Sequence, residues 1–175
     1  NKRFTSGNYG QHLYSFGAVS DVHTGTNTSD VDTRNALADF NEKENVAFTC
    51  ATGDLTDGGT VAEFIALRRR LDEVSYDTPL IACNGNHETY GSTFGDELWE
   101  TYIDNPRACA IIYGNDVVLP LSILRTTTND VFDDEQRNFV EEVIAKYEGC
   151  RIFILCHSPL NGSNNGNFGG YYGSN

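Results

Sequence analysis

The stretch VAFTCATGDLTDG, residues 46–58, decides the fold. Its first seven residues are apolar, small or β-branched, the composition of a short buried strand. Gly53-Asp54-Leu55-Thr56-Asp57-Gly58 follows at once. Glycine lets the backbone turn sharply, so two carboxylates fall just beyond the strand's carboxyl end. Thr60 then opens a helix, with Glu63 as its capping-box partner. Phe64, Ile65, Leu67, Leu71 and Val74 make the helix's expected buried stripe. The unit is strand, polar turn, helix.

Working outward, the same order recurs. Residues 13–20 (LYSFGAVS) read as a strand and are followed by Asp21-Val22-His23. Residues 33–43 keep helix spacing through Ala36, Leu37 and Phe40. Residues 79–84 read as a third strand, followed by Gly85-Asn86-His87-Glu88, and residues 92–104 as a helix carrying Trp99. Residues 109–113 and 116–124 read as a hairpin turning at Gly114-Asn115. Asp133 and Gln136 have capping-box spacing before a helix whose apolar face is Phe139, Val140, Val143, Ile144 and Tyr147. Gly149 stands where such a helix ends. Residues 151–156 form the last strand, with His157-Ser158-Pro159 after it. Strands alternating with helices specify a layered α/β fold with a largely parallel sheet and one antiparallel element. One domain is expected over residues 13–160. A polar lead-in, 1–12, precedes it. A segment of five glycines, five asparagines and two serines, 161–175, follows and is expected to be a mobile loop.

Composition narrows the function. The 175 residues carry 12 Lys and Arg against 25 Asp and Glu, a net charge of −13. That balance disfavours binding to a nucleic-acid backbone. The Arg68-Arg69-Arg70 run falls within a helix and reads as a solvated face. No apolar run is long enough to span a membrane, and 39% hydrophobic residues are too many for a disordered chain. Of the five cysteines, Cys50, Cys83 and Cys156 sit in apolar runs and read as small buried hydrophobes. Unpaired thiols fit a reducing, cytoplasmic setting. The absence of methionine and the start at Asn1 fit an incomplete chain. Asn27-Thr28-Ser29 and Asn161-Gly162-Ser163 match the glycosylation pattern, one short enough to arise by chance.

In open α/β sheets, sites form outside the carboxyl ends of the strands. Four loops there bring together Asp21, His23, Asp54, Asp57, Asn86, His87 and His157. Carboxylates crowded into one cleft repel unless a cation neutralises them. Oxygen and imidazole donors suit divalent metals such as Zn, Mn and Fe. Alternation in Asp21-Val22-His23 places both side chains on one side of an extended backbone. Each motif alone is weak, since Gly-Asp-x-x-Asp-Gly also makes turns; together they point to a metal site. His12 lies outside every motif and reads as a surface histidine.

As a set, the motifs resemble the calcineurin-like metallophosphoesterase superfamily, whose blocks run Asp-x-His, Gly-Asp-x-x-Asp, Gly-Asn-His-Asp/Glu, a lone His and then Gly-His-x-His. The resemblance implies a four-layer α/β/β/α sandwich and a hydrolase of small-molecule phosphoesters, monoester or diester, using two divalent metal ions (Mn, Fe, Zn or Co). It implies Asp21 and His23 as ligands of the first metal, Asp54 as the bridging carboxylate, and Asn86 and His157 as ligands of the second. A hydroxide bridging the metals would attack phosphorus. His87 would be the acid that meets the leaving oxygen, and Asp57 its orienting partner. Glu88 stands in place of the commoner Asp. The last block is absent from these 175 residues, and no histidine follows His157. The family places one more histidine on each metal, so the C-terminal part of the domain is expected to be missing. A metal-binding, non-catalytic member of the same fold is the alternative.

Overall fold

A computed structural model describes residues 11–26, 29–42, 46–73, 78–90, 95–103, 105–125 and 130–158. The lead-in up to residue 10, the segment 161–175, both glycosylation asparagines and Val74 lie outside the described residues.

The elements run β1 (Ser15–Val19), α1 (Ser29–Glu42), β2 (Val46–Thr52), α2 (Val61–Glu73), β3 (Leu80–Cys83), a short 3₁₀ turn (His87–Thr89), α3 (Gly95–Ile103), β4 (Ile111–Tyr113), β5 (Asp116–Pro120), β6 (Leu124–Arg125), β7 (Asp130–Val131), α4 (Asp134–Lys146) and β8 (Arg151–Leu155). Two three-stranded sheets result, ordered β1-β2-β3 and β4-β5-β8, with β6 and β7 pairing separately. The first sheet is parallel throughout. In the second, β4 and β5 form the expected antiparallel hairpin, and β8 joins β5 in parallel.

Side-chain alternation along the strands builds four layers. Ala51 of β2 and Ala82 of β3 face a core made by Leu37 of α1, Phe64, Leu67 and Leu71 of α2, and Trp99 and Ile103 of α3. Phe48 and Cys50 of β2 and Ile81 of β3 point the other way, onto Val118 of β5 and Phe153 and Leu155 of β8. Val117 and Leu119, one residue to either side of Val118, pack on Val143, Phe139 and Val140 of α4. Each fully buried aliphatic or Phe side chain contributes about 1.5–3 kcal/mol. The layers are therefore helices, sheet, sheet, helix, the α/β/β/α sandwich expected.

The predicted caps form. Thr60 Oγ1 accepts from the Glu63 N–H at 3.3 Å and Glu63 Oε2 accepts from the Thr60 N–H at 2.9 Å. Asp133 and Gln136 exchange the same pair of bonds. Gly114 turns the hairpin with φ 59°. Several details differ from expectation. Helix α1 starts at Ser29, ahead of the periodic run. Strand β5 stops at Pro120, and Leu121 bridges Ala108 instead. Ile65 and Ile144 are exposed on their helices, at 36% and 48%, because the buried stripes of α2 and α4 are narrower than the apolar patterns. Cys50 and Cys83 are buried, Cys156 is half-buried, and all five cysteines are free. Among the described residues no helix is long and apolar enough to cross a membrane.

Candidate metal centre

Strands β1, β2 and β3 run the same way, so the loops after them leave one edge together. The first two loops are laced by backbone bonds: the N–H groups of Asp21, His23 and Thr24 donate to the carbonyls of Gly53, Asp54 and Leu55 at 3.1, 2.9 and 2.9 Å. Asp21, His23 and Asp54 hold φ of 54°, 47° and 52°, in the left-handed region. The Asp-x-His segment is therefore not the extended strand continuation expected. Each side chain reaches the centre from a left-handed residue. Such conformations cost about 1–3 kcal/mol each and persist where the surroundings enforce them, characteristically at functional sites.

Asp54 is the hub. Its side chain is buried, and Oδ1 accepts the His87 backbone N–H at 3.0 Å. Around Oδ2 stand the Nε2 atoms of three histidines: His157 at 3.2 Å, His87 at 3.8 Å and His23 at 3.9 Å. Every Nδ1 faces outward to protein oxygen. His157 Nδ1 donates to the Thr52 carbonyl at 2.9 Å, and His87 Nδ1 donates to the Asp57 carbonyl. A carbonyl only accepts, so both rings carry a proton on Nδ1. His23 Nδ1 lies 3.2 Å from Asp57 Oδ1, close enough for charge pairing but out of line for a hydrogen bond. His23 Nε2 also stands 3.9 Å from Asp21 Oδ1.

Two sets of ligand atoms, each confined within 4.8 Å, follow: His23, Asp54 and His87, and Asp21, Asp54 and His157. Asp54 belongs to both. Carboxylate and imidazole groups, with Nε2 atoms turned inward and the Nδ1 atoms of His87 and His157 anchored behind them, fit a divalent cation. Asn86 is buried beside them, its Nδ2 donating to the Tyr90 hydroxyl at 2.6 Å. The structure thus draws Asp21, His23, Asp54, Asn86, His87 and His157 to one sheet edge. Asp57 differs from expectation in its atoms: it meets His87 through its backbone carbonyl and turns its carboxylate to His23.

Burial alone would lower the His157 pKa. The Asp54 carboxylate and the Thr52 carbonyl outweigh it and raise His157 to about 9. Burial works against the Asp54 carboxylate too, yet His157 and the His87 N–H hold it below the usual aspartate range.

Two residues that give the site its shape carried no assigned role in the sequence. Glu88 is fully buried and accepts from the N–H groups of Asp54 (3.0 Å), Thr56 (2.7 Å) and Gly85 (2.6 Å) and from the Thr56 hydroxyl (2.9 Å). It clamps the loop after β2 to the loop after β3. Burial pushes its carboxyl up, and the bonds from Thr56 and Gly85 oppose that rise. Asn84 is buried between the sheets, with Oδ1 accepting from Ile123 N–H at 2.7 Å and its own N–H donating to Ser122 Oγ at 3.0 Å. A polar residue ending an apolar strand was its only signal.

A two-sheet sandwich with a carboxylate–imidazole cluster at its strand ends defines a class of α/β metal-site proteins. A family model described as calcineurin-like phosphoesterase matches residues 14–175, and the chain belongs to that family. Its members are in general hydrolases of phosphoesters and typically bind divalent metals. No curated protein matches the chain.

Proposed function

We propose that this chain hydrolyses a small-molecule phosphoester, monoester or diester, with His87 donating a proton to the leaving oxygen. The observation that carries the reading is the convergence of three Nε2 atoms on Asp54 Oδ2, within 3.9 Å, while each Nδ1 faces protein oxygen. In this reading Asp21 and His23 would hold a first cation and Asn86 and His157 a second, with Asp54 shared by both; the ligand-atom sets within 4.8 Å cross that division, grouping His23 with His87 and Asp21 with His157. Two bound divalent ions, of the Mn, Fe, Zn or Co type, would supply the charge that neutralises phosphoryl oxygens and the acidity that activates an attacking water. The surrounding segments 20–26, 53–59, 84–90 and 156–158 contain no Lys or Arg. Within these segments the substrate's negative charge would be met by those ions. The Asp57 carbonyl fixes the His87 ring, leaving Nε2 to face the reacting group, and the Asp57 carboxylate steadies His23.

The test is turnover of nitrophenyl phosphate and bis-nitrophenyl phosphate with Mn²⁺ supplied, before and after chelation. Chelator-sensitive hydrolysis that Asp54→Asn abolishes is expected. No hydrolysis of either ester with any of the four metals would leave the non-catalytic alternative.

A further inference from the structure

We infer that Tyr90 is a positioning residue of this centre: its hydroxyl fixes which end of the Asn86 carboxamide faces the cation, and its ring braces His87. The inference rests on the reading of Asn86 as a cation ligand. Tyr90 follows the 3₁₀ turn that begins at His87, and its backbone N–H closes that turn on the His87 carbonyl at 3.2 Å. Thr89 ties the turn back to Asn86, its hydroxyl donating to the Asn86 carbonyl at 2.8 Å. Tyr90 is thereby held beside Asn86 and His87. Its hydroxyl oxygen accepts from Asn86 Nδ2 at 2.6 Å, and its ring centroid lies 4.6 Å from that of His87, tilted by 44°.

A carboxamide has two ends of nearly equal size. Only Oδ1 can ligate a cation; Nδ2 presents two N–H donors. Asn86 is 3% exposed, so water is poorly placed to satisfy a misdirected amide. By giving Nδ2 its acceptor, the Tyr90 hydroxyl leaves Oδ1 as the ligating end. This is the task that partners behind a metal ligand perform, and their loss costs about 10–100-fold in metal affinity. The ring contact is a separate contribution: it limits the swing of the His87 imidazole, whose other anchor is the Asp57 carbonyl. Tyr90 is itself 48% exposed, so its replacement leaves no core cavity.

The experiment titrates the metal-free full chain with Mn²⁺ and follows free Mn²⁺ by electron paramagnetic resonance. Tyr90→Phe, which removes only the oxygen, should weaken one Mn²⁺ equivalent by about 10–100-fold and leave the other equivalent and the metal-free melting temperature unchanged. Asn86→Leu should weaken the same equivalent. Tyr90→Leu should in addition lower kcat on an alkyl phosphate more than on nitrophenyl phosphate. Wild-type Mn²⁺ uptake by Tyr90→Phe, with one equivalent lost in Asn86→Leu, would overturn the role of Tyr90 alone. Wild-type uptake by Asn86→Leu would overturn the ligand reading beneath it as well.

Discussion

Gly85 lies so close to Asp54 that a Cβ on it would stand 2.2 Å from Asp54 Oδ1 and 2.5 Å from the Asp54 backbone nitrogen. The hub carboxylate and the loop after β3 share a space with no room for one methyl group. A flexible side-chain tip could yield, but a backbone nitrogen held by Glu88 cannot. Gly85→Ala should therefore separate the two loops, cost about 1–3 kcal/mol as overpacked positions do, and abolish Mn²⁺ uptake. Urea denaturation and metal titration of that variant check both effects; wild-type uptake would mean that the loops can part without harm.

Glu88 makes the same junction from the other side. Glu88→Gln keeps the shape but replaces one accepting oxygen with an NH₂ group. Either orientation sets that group against donors, the pair from Asp54 and Gly85 or the pair from Thr56. A buried donor left without an acceptor costs about 1–3 kcal/mol. Glu88→Gln should lower the urea midpoint clearly, with metal affinity falling in parallel. A midpoint equal to wild type would show that the junction does not depend on the carboxylate.

Local rules made much of this structure readable. The run 46–52 is β2 to the residue, and the Thr60/Glu63 and Asp133/Gln136 pairs cap helices as their spacing predicts. These features depend on neighbours three or four positions apart. What stayed hidden depends on distant chain or on backbone atoms. The parallel seam of β5 with β8 joins residues 35 positions apart, Asp116 with Arg151. Asn84 finds its partners at Ser122 and Ile123. The motif order placed Asp21, His23, Asp54, Asn86, His87 and His157 at one edge, where the structure also has them. It did not specify that His87 rests on the Asp57 carbonyl, because a carbonyl is common to every residue type. Nor did it foresee left-handed backbone at Asp21 and His23, which the lacing to residues 53–55 imposes.

His87 as proton donor carries a leaving-group signature. An alkoxide needs protonation as the P–O bond breaks; a nitrophenolate hardly does. His87→Ala should lose about 10²–10⁴-fold in kcat on alkyl phosphates, the usual scale of general acid help, and much less on nitrophenyl phosphate. Because His87 also stands among possible ligand atoms, Mn²⁺ stoichiometry must be measured on the same variant. Equal losses on both substrates, or loss of a metal equivalent, would assign His87 to the cation instead of the leaving group.

The 3.2 Å approach of His157 Nε2 to Asp54 Oδ2 sets a pH dependence of definite sign. In the metal-free chain the proton on His157 is held up to about pH 9, against about 6.5 for an unperturbed histidine. Its folded-state pKa is raised, so the pair's contribution to stability is complete below about pH 6.5 and is lost as pH rises through about 9. A cation must displace the Nε2 proton, so metal uptake should release a proton, and apparent affinity should climb with pH until about 9. Asp54→Asn removes the carboxylate, and His157 should then titrate nearer the ordinary value. Nuclear magnetic resonance titration of the His157 ring in metal-free wild type and Asp54→Asn measures the difference directly. A wild-type midpoint near 6.5 would show that Asp54 does not hold the proton, and would remove the predicted rise of metal affinity above neutral pH.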